Sequence, residues 1–218
     1  MMPIDFNALA MQCAPGVHPT TLQKVVNTES GFNPYAIGVV GGRLERQPRN
    51  RDEAVATARA LEAAGWNFSM GLSQVNRTNL GRYGLDTTTV FDPCANLRAG
   101  SAILTDCYSR ASALTGPGQQ ALLAAFSCYY SGNFQRGFER DAQGTSYVQR
   151  VVSSAASADP VTPAGQARPI PVVPEVSSIN KTVRLSPAGG STALPQAVPA
   201  EVPSRGVSHP AWDTFGDF

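Results

Sequence analysis

The chain has 218 residues, 42% of them hydrophobic and 15% charged, with a formal net charge of +1. Arginines and acidic residues are interspersed, with no block of five or more like charges, so the basic footprint of a nucleic-acid-binding protein is missing. No stretch approaches the roughly 18 apolar residues that a membrane-spanning helix requires.

Composition divides the chain in two. Ten of its 17 prolines follow Ala158, and the stretch 159–218 lacks apolar residues at helical or strand spacing. Such a segment buries too little surface to offset the entropy of ordering it. The expectation is one folded domain, 1–158, mainly α-helical, and a disordered Pro-rich tail, 159–218. Met1 to Met11 contains Asp5, no Lys or Arg, and too short an apolar run for a secretory signal.

In chain order, Pro19 suits the first turn of a helix, and Leu22, Val25 and Val26 begin an apolar stripe that Glu29 continues. Gly31 with Asn33-Pro34 ends that helix, and Gly38 to Pro48, with Gly41-Gly42, reads as a turn or short hairpin. Asn50, with Glu53 three residues later, resembles a capping box ahead of a helix over Ala54 to Ala64 that Gly65 stops. Gly71-Leu72-Ser73-Gln74-Val75-Asn76 reads as a polar site loop leading to a short helix near Asn79. Asp92-Pro93 starts a long helix, Cys94 to about Tyr108. A further helix runs from Gln119 to about Tyr130, and a last short one covers Ser146 to Val152.

The four cysteines, Cys13, Cys94, Cys107 and Cys128, form an even set without metal-like spacing, which favours disulfides and an oxidising compartment over free thiols. If Ala95 to Asp106 is one helix, Cys94 and Cys107 lie about 20 Å apart and cannot bond each other. Two pairings remain: Cys94–Cys128 with Cys13–Cys107, which is the preferred one, and the crossed alternative. His18 and His209 are too few for a metal site, and no phosphate-binding glycine loop is present, so neither metal nor cofactor is expected.

Glu29 carries the chemistry. It stands three and four positions after Val26 and Val25, on a face that packs against the core, where loss of water raises a carboxyl pKa and prepares it to donate a proton near neutral pH. Glu45 and Glu53 are rival carboxylates, but the arginines around them (Arg43, Arg46, Arg49, Arg51) favour ionised surface groups. Asp92 and Asn96, near a helix start, read as caps and structural groups.

Four segments, in order, resemble the lytic transglycosylases. Glu29-Ser30-Gly31-Phe32-Asn33-Pro34 is similar to the E-S-G-x-N-P segment that carries that family's catalytic glutamate. Gly71 to Asn76 resembles G-L-M-Q-I with Ser73 in place of Met, Tyr129-Tyr130-Ser131-Gly132 resembles Y-N-A-G with Tyr130 in place of Asn, and Tyr147-Val148 resembles the closing Y-V. Gly65 to Ser69, Asp92-Pro93-Cys94 and Ser127-Cys128-Tyr129 look most like the members that accompany type IV secretion systems. The resemblance spans roughly Ala14 to Val152.

It implies a lysozyme-like, goose-type helical domain with a small hairpin insertion. It also implies cleavage of the β-1,4 bond between N-acetylmuramic acid and N-acetylglucosamine, with formation of a 1,6-anhydro end and Glu29 acting as both acid and base. By carry-over, Gln74 binds sugar, Ser73 faces the N-acetyl group, and Ser30 orients the glutamate motif. Tyr129 contacts substrate or holds Glu29, and Tyr147 completes the pocket around the carboxyl. The partners implied are peptidoglycan strands in the periplasm and, through the aromatic end Ala211 to Phe218, envelope proteins of a secretion complex. The alternatives are a hydrolytic muramidase, which needs a second carboxylate, and a non-catalytic scaffold that binds the same glycan.

Overall fold

The computed structural model describes residues 5–154 and 168–174. Six α-helices carry the architecture: α1 (Phe6–Cys13), α2 (Pro19–Ser30), α3 (Arg51–Ala63), α4 (Pro93–Thr115), α5 (Gln119–Ser131) and α6 (Tyr147–Ser153). Five short strands accompany them: β1 (Ile37–Val39), β2 (Gly42–Leu44), β3 (Phe68–Met70), β4 (Val75–Asn76) and β5 (Val172–Pro174). The chain is mainly helical, as the sequence predicts.

The helix ends follow local chemistry. Pro19 occupies the first turn of α2, His18 Nδ1 accepts the Thr20 N–H at 3.3 Å, and Gly31 closes the helix in the left-handed region at φ +57°. Asp92 caps α4 through the Ala95 N–H at 2.8 Å, and Ser146 forms a reciprocal capping box with Gln149 on α6. Two elements differ from the sequence reading. Helix α1 occupies the segment read only for its lack of a secretory signal, capped by Asp5, and it buries Ala10 and Cys13. Helix α4 continues seven residues past Tyr108, because its inward stripe of Leu97, Gly100, Leu104, Cys107 and Ala111 runs unbroken until Gly116.

The core has a helical half and a β half. Val25, Leu104, Ala125, Phe126, Val148 and Val151 join α2, α4, α5 and α6. Ile37, Leu44, Ala58, Leu61, Phe68, Met70 and Phe91 pack under the strands. The chain does turn at Val40-Gly41, but β1 and β2 are not each other's ladder partners. β1 pairs antiparallel with β3, which pairs with β4, while β2 pairs with β5.

The β2–β5 ladder moves the expected boundary at 158. Residues 168–174, placed by composition in a disordered tail, return to the domain. Leu44 lies opposite Val172 and Gly42 opposite Pro174, the Glu45 N–H donates to the Pro171 carbonyl at 3.1 Å, and Ile170 is buried in the β core with its N–H on Thr57 Oγ1. Proline is tolerated there because an edge strand needs donors on one side only. Composition cannot detect one isoleucine and three strand residues filling a groove. The rest of the tail, including Ala211 to Phe218, lies outside the described residues.

The disulfides are Cys13–Cys94 and Cys107–Cys128, with Cα–Cα separations of 5.2 and 5.7 Å. The preferred pairing is therefore wrong and the crossed alternative holds. Helices α4 and α5 form an antiparallel hairpin about Gly116 to Gly118, so residues nearly equidistant from that turn face each other, as Cys107 and Cys128 do. Cys94 lies about 20 Å further along α4, at 1.5 Å per residue, beside the end of α1. The bridges close loops of 81 and 21 residues, each restricting the unfolded chain by roughly 3–5 kcal/mol on a loop-entropy basis.

Glu53 needs a second correction. It is only 2% exposed, not a surface group. Its carboxylate accepts from Arg46 Nη1 and Nη2 at 2.7 and 3.0 Å and from the Arg49 N–H at 3.0 Å. Those bonds hold its pKa down to about 2, chiefly through Arg46, so the expectation of an ionised carboxylate stands although the expected exposure does not. Asn50 caps α3 through the Glu53 N–H, while the Glu53 side chain turns to the arginines. This carboxylate braces the segment leading from β2 into α3 and is committed elsewhere than the cleft.

A chain ending at Ala158 should be less stable than one ending at Pro174 by roughly 2–3 kcal/mol, the value of burying one isoleucine side chain. Urea unfolding of the two chains measures this, and equal midpoints would mean that β5 contributes nothing.

Candidate active site

The helical and β halves meet at a cleft of about 270 Å³. Gly38, Val39, Val40, Ser69, Gln74 and Asn76 form its β wall, residues of α4 and α5 form the opposite wall, and Glu29 opens onto it. Glu29 lies in the last turn of α2, three and four residues after Val26 and Val25, on the side of the helix that Leu22, Val25 and Val26 bury. Burial raises its carboxyl pKa from 4.5 to about 7, against opposing contributions from the Tyr147 hydrogen bond and the Arg150 charge. The carbonyl end of the α2 dipole also disfavours negative charge there.

Tyr147, at the first position of α6, donates its hydroxyl to Glu29 Oε1 at 2.5 Å. Its own pKa is pushed well above the usual value, first by burial and then by the Glu29 charge, so it is a donor throughout the pH range of interest. Since Oε1 accepts from Tyr147, the carboxyl proton belongs on Oε2, the oxygen left for a ligand. Tyr130 stacks on Tyr147 with ring centroids 4.6 Å apart and planes 15° from parallel, which fixes the phenol. Arg150, on the next turn of α6, acts on Glu29 only at a distance, because its guanidinium is paired with Asp141.

The loop Gly71 to Asn76 is held from four directions. Asn96, buried on α4, accepts from the Ser73 N–H at 2.7 Å and donates to the carbonyls of Met70 and Val90, both at 2.9 Å. Ser30 Oγ donates to the Leu72 carbonyl at 2.8 Å, tying the loop to the residue next to Glu29. Tyr129 Oη donates to the Ser73 carbonyl at 2.6 Å. Gln74 Nε2 donates to the carbonyls of Ala36 and Gly71 at 3.1 and 2.9 Å. Gly71, at φ +78°, is required: a Cβ there would stand 2.2 Å from Asn96 Nδ2.

These contacts place the residues singled out from sequence. Glu29, Gln74 and Tyr129 line the cleft, and Tyr147 reaches Glu29 from behind. Gln74 spends both amide protons on backbone carbonyls, which leaves Oε1, an acceptor, as its free polar end; the residue also holds a left-handed φ of +44°. The hydroxyl of Tyr129 binds the loop, so the tyrosine that holds Glu29 is Tyr147. Ser30 likewise positions the loop and is not part of the cleft lining. Ser73 is not part of the cleft lining. It is fully buried against Gly100, where a Cβ would come within 2.5 Å of its Oγ.

Sequence reasoning missed Tyr130, Arg82, Asp106 and Arg110, all on the cleft wall. Helical spacing contains a signal for the last two, since Asp106 and Arg110 are four apart on one face of α4, with Arg110 Nε 3.1 Å from Asp106 Oδ2. The Tyr-Tyr pair carries another, because adjacent helical residues point about 100° apart and can take two walls of one pocket.

Residues 6–149 match the transglycosylase SLT domain. The type IV secretion system protein virB1 of Brucella suis biovar 1 (strain 1330) is 57% identical over 174 residues, which is 79% of this chain and 70% of that protein. The virB1 protein of Agrobacterium fabrum is 30% identical over 153 residues, 69% of this chain and 59% of that one. No solved structure matches the chain.

Two outcomes follow from the Glu29 environment. Because the folded-state pKa is raised, the folded protein holds a proton that the unfolded chain releases between pH 4.5 and about 7, so stability declines as pH rises through that window. Glu29→Gln should exceed wild type in stability above pH 7 by on the order of 3 kcal/mol, as read by urea unfolding, and should match it at pH 4. Tyr147→Phe removes a contact that lowers the pKa, so Glu29 should titrate above 7 in that variant, visible as an upward shift of its carboxyl resonance titration.

Proposed function

Starting from the fact that the chain belongs to the transglycosylase SLT domain family, and so is a lytic transglycosylase of peptidoglycan, we propose the roles that its own residues take in that reaction. Glu29 is the general acid and then the general base. Its proton, on Oε2, passes to the oxygen bridging N-acetylmuramic acid and N-acetylglucosamine, and the C1–O bond breaks. The C6 hydroxyl of the same muramic acid then attacks C1 and returns its proton to Glu29, closing the 1,6-anhydro ring. No water is consumed, and the carboxyl ends as it began. An intramolecular nucleophile has a high effective concentration, so one carboxyl suffices.

The observation that carries this reading is a cleft-facing carboxyl with a pKa of about 7, held on one oxygen by a buried phenol. The charge that develops on the ring in the transition state meets acceptors on the cleft wall, with Gln74 Oε1 as the proposed contact. Tyr129, Ser30 and Ser73 act through the loop. Asp106, the other carboxylate on the lining, bears on the hydrolytic alternative, since a muramidase needs a second carboxylate to activate water. Its carboxylate is engaged by Arg110 at 3.1 Å, with Arg82 at 3.9 Å, and is not left free to activate a water, which supports the anhydro route.

The virB1 relatives are type IV secretion proteins by name. On that basis we place this enzyme in the periplasm, opening the wall locally where a secretion apparatus is assembled. Two disulfides suit that compartment. Contact with envelope components through the chain beyond Pro174 belongs to the same proposal.

Purified wild type, Glu29→Gln and Asp106→Asn should be incubated with isolated peptidoglycan and the products resolved by mass spectrometry. Wild type and Asp106→Asn are expected to yield 1,6-anhydro ends, and Glu29→Gln to lose at least about 100-fold in rate. Reducing muramic ends without anhydro ends would establish the hydrolytic reading, and undiminished turnover by Glu29→Gln would remove the assigned acid.

A further inference from the structure

The glycan backbone of peptidoglycan is uncharged, yet the helical wall of the cleft carries three charges. Asp106 and Arg110 project from α4, and Arg82 from the 3₁₀ turn Arg77–Tyr83 that precedes it. The carboxylate of Asp106 is taken by Arg110, whose Nε lies 3.1 Å from Oδ2. Arg82 stands 3.9 Å from Oδ1, outside hydrogen-bond reach, with its side chain 52% exposed and its guanidinium over the ring of Tyr83, which also lines the cleft. One carboxylate between two guanidinium groups leaves a net positive charge on this wall. Arg82 is the member that lines the cleft without a hydrogen bond to Asp106.

We propose that Arg82, seated beside the Asp106–Arg110 pair, forms a subsite for a carboxylate of the peptide stem that muramic acid carries on its lactyl group. The subsite rests on the glycan-cleaving function proposed above and adds to it a specificity for the anionic form of the strand. Stem carboxylates are the negative charges that peptidoglycan presents next to the scissile bond, and a planar guanidinium matches a carboxylate in two parallel hydrogen bonds. Asp106 engages Arg110 through Nε and opposes the incoming anion, so its charge weakens the subsite. The attraction works at a half-exposed position, where charges are screened by salt.

The test reads binding separately from turnover. Glu29→Gln protein is titrated by calorimetry with soluble N-acetylglucosamine–N-acetylmuramic acid tetrasaccharides bearing peptide stems, and with the same oligosaccharides after their stem carboxylates are converted to methylamides. The free-acid form should bind about fivefold to tenfold more tightly than the amidated form at low salt, the range of one charged contact at a half-exposed site. Adding Arg82→Gln should bring the ratio near one, Arg82→Lys should restore part of it, and Asp106→Asn should widen it. The ratio should also shrink in 0.5 M salt. Equal affinity for the two forms, or a ratio unchanged by Arg82→Gln, overturns the subsite and leaves the proposed reaction standing. Failure of wild type to cleave the free-acid form overturns the reaction and leaves the binding ratio to be read.

Discussion

The site depends on one costly arrangement, a carboxyl group enclosed at the end of a helix where both its burial and the helix dipole oppose its charge. Helix α2 brings Glu29 there because Leu22, Val25 and Val26 bury the same side of the helix and Gly31 stops the chain immediately afterwards. The carboxyl is then oriented by Tyr147, a residue 118 positions away. Raising the pKa to about 7 is what lets one group donate a proton and later accept one near neutral pH. A solvated glutamate at the same place would be ionised and of no use as an acid.

Around that carboxyl the protein spends polar side chains on rigidity. Asn96, Ser30, Tyr129 and Gln74 all bond to backbone groups of the segment Ala36 to Ser73. Several residues that resemble a sugar-binding set are thus supports for a loop, and the ligand meets what the loop presents. The requirement for Gly71 follows from the close approach of Asn96, and the substitution of Ser for Met at position 73 fits a site packed against Gly100. Precision in such a cleft matters because small displacements of the reacting groups cost large factors in rate.

The outer framework keeps the two walls in register. Cys107–Cys128 joins α4 to α5 directly beside Tyr129 and Tyr130, and Cys13–Cys94 fixes α1 against the start of α4, two residues before Asn96. On the β side, β5 covers β2, and Glu53 with Arg46 braces the segment leading from β2 into α3. An otherwise unpaired β2 would present open backbone groups, and the returning segment pairs them just after the turn that follows Val39 and Val40 on the cleft wall.

Much of the molecule was decided locally and could be read in one dimension. Helical periodicity, Pro19, Asn50, Asp92 and Ser146 at helix starts, and Gly31 and Gly132 at helix ends act within a turn or two of the chain. Five of the six helices and the setting of Glu29 on a buried face were therefore legible. Helix α1 was not, because its eight residues bury only Ala10 and Cys13 and so carry too short an apolar stripe to read as a period. What packing alone decided were contacts between distant positions: which cysteine meets which, which tyrosine reaches Glu29, the burial of Glu53 and Ser73, and the return of Ile170 to the core. Tyr129 and Tyr147 are the same residue type in equally plausible motifs, and only the angle at which α5 and α6 pack on α2 assigns one to the loop and the other to the acid. Local propensity fixes where a helix begins and ends, whereas the partner of a side chain depends on how the helices cross, which is set by the sum of many weak contacts over the whole core.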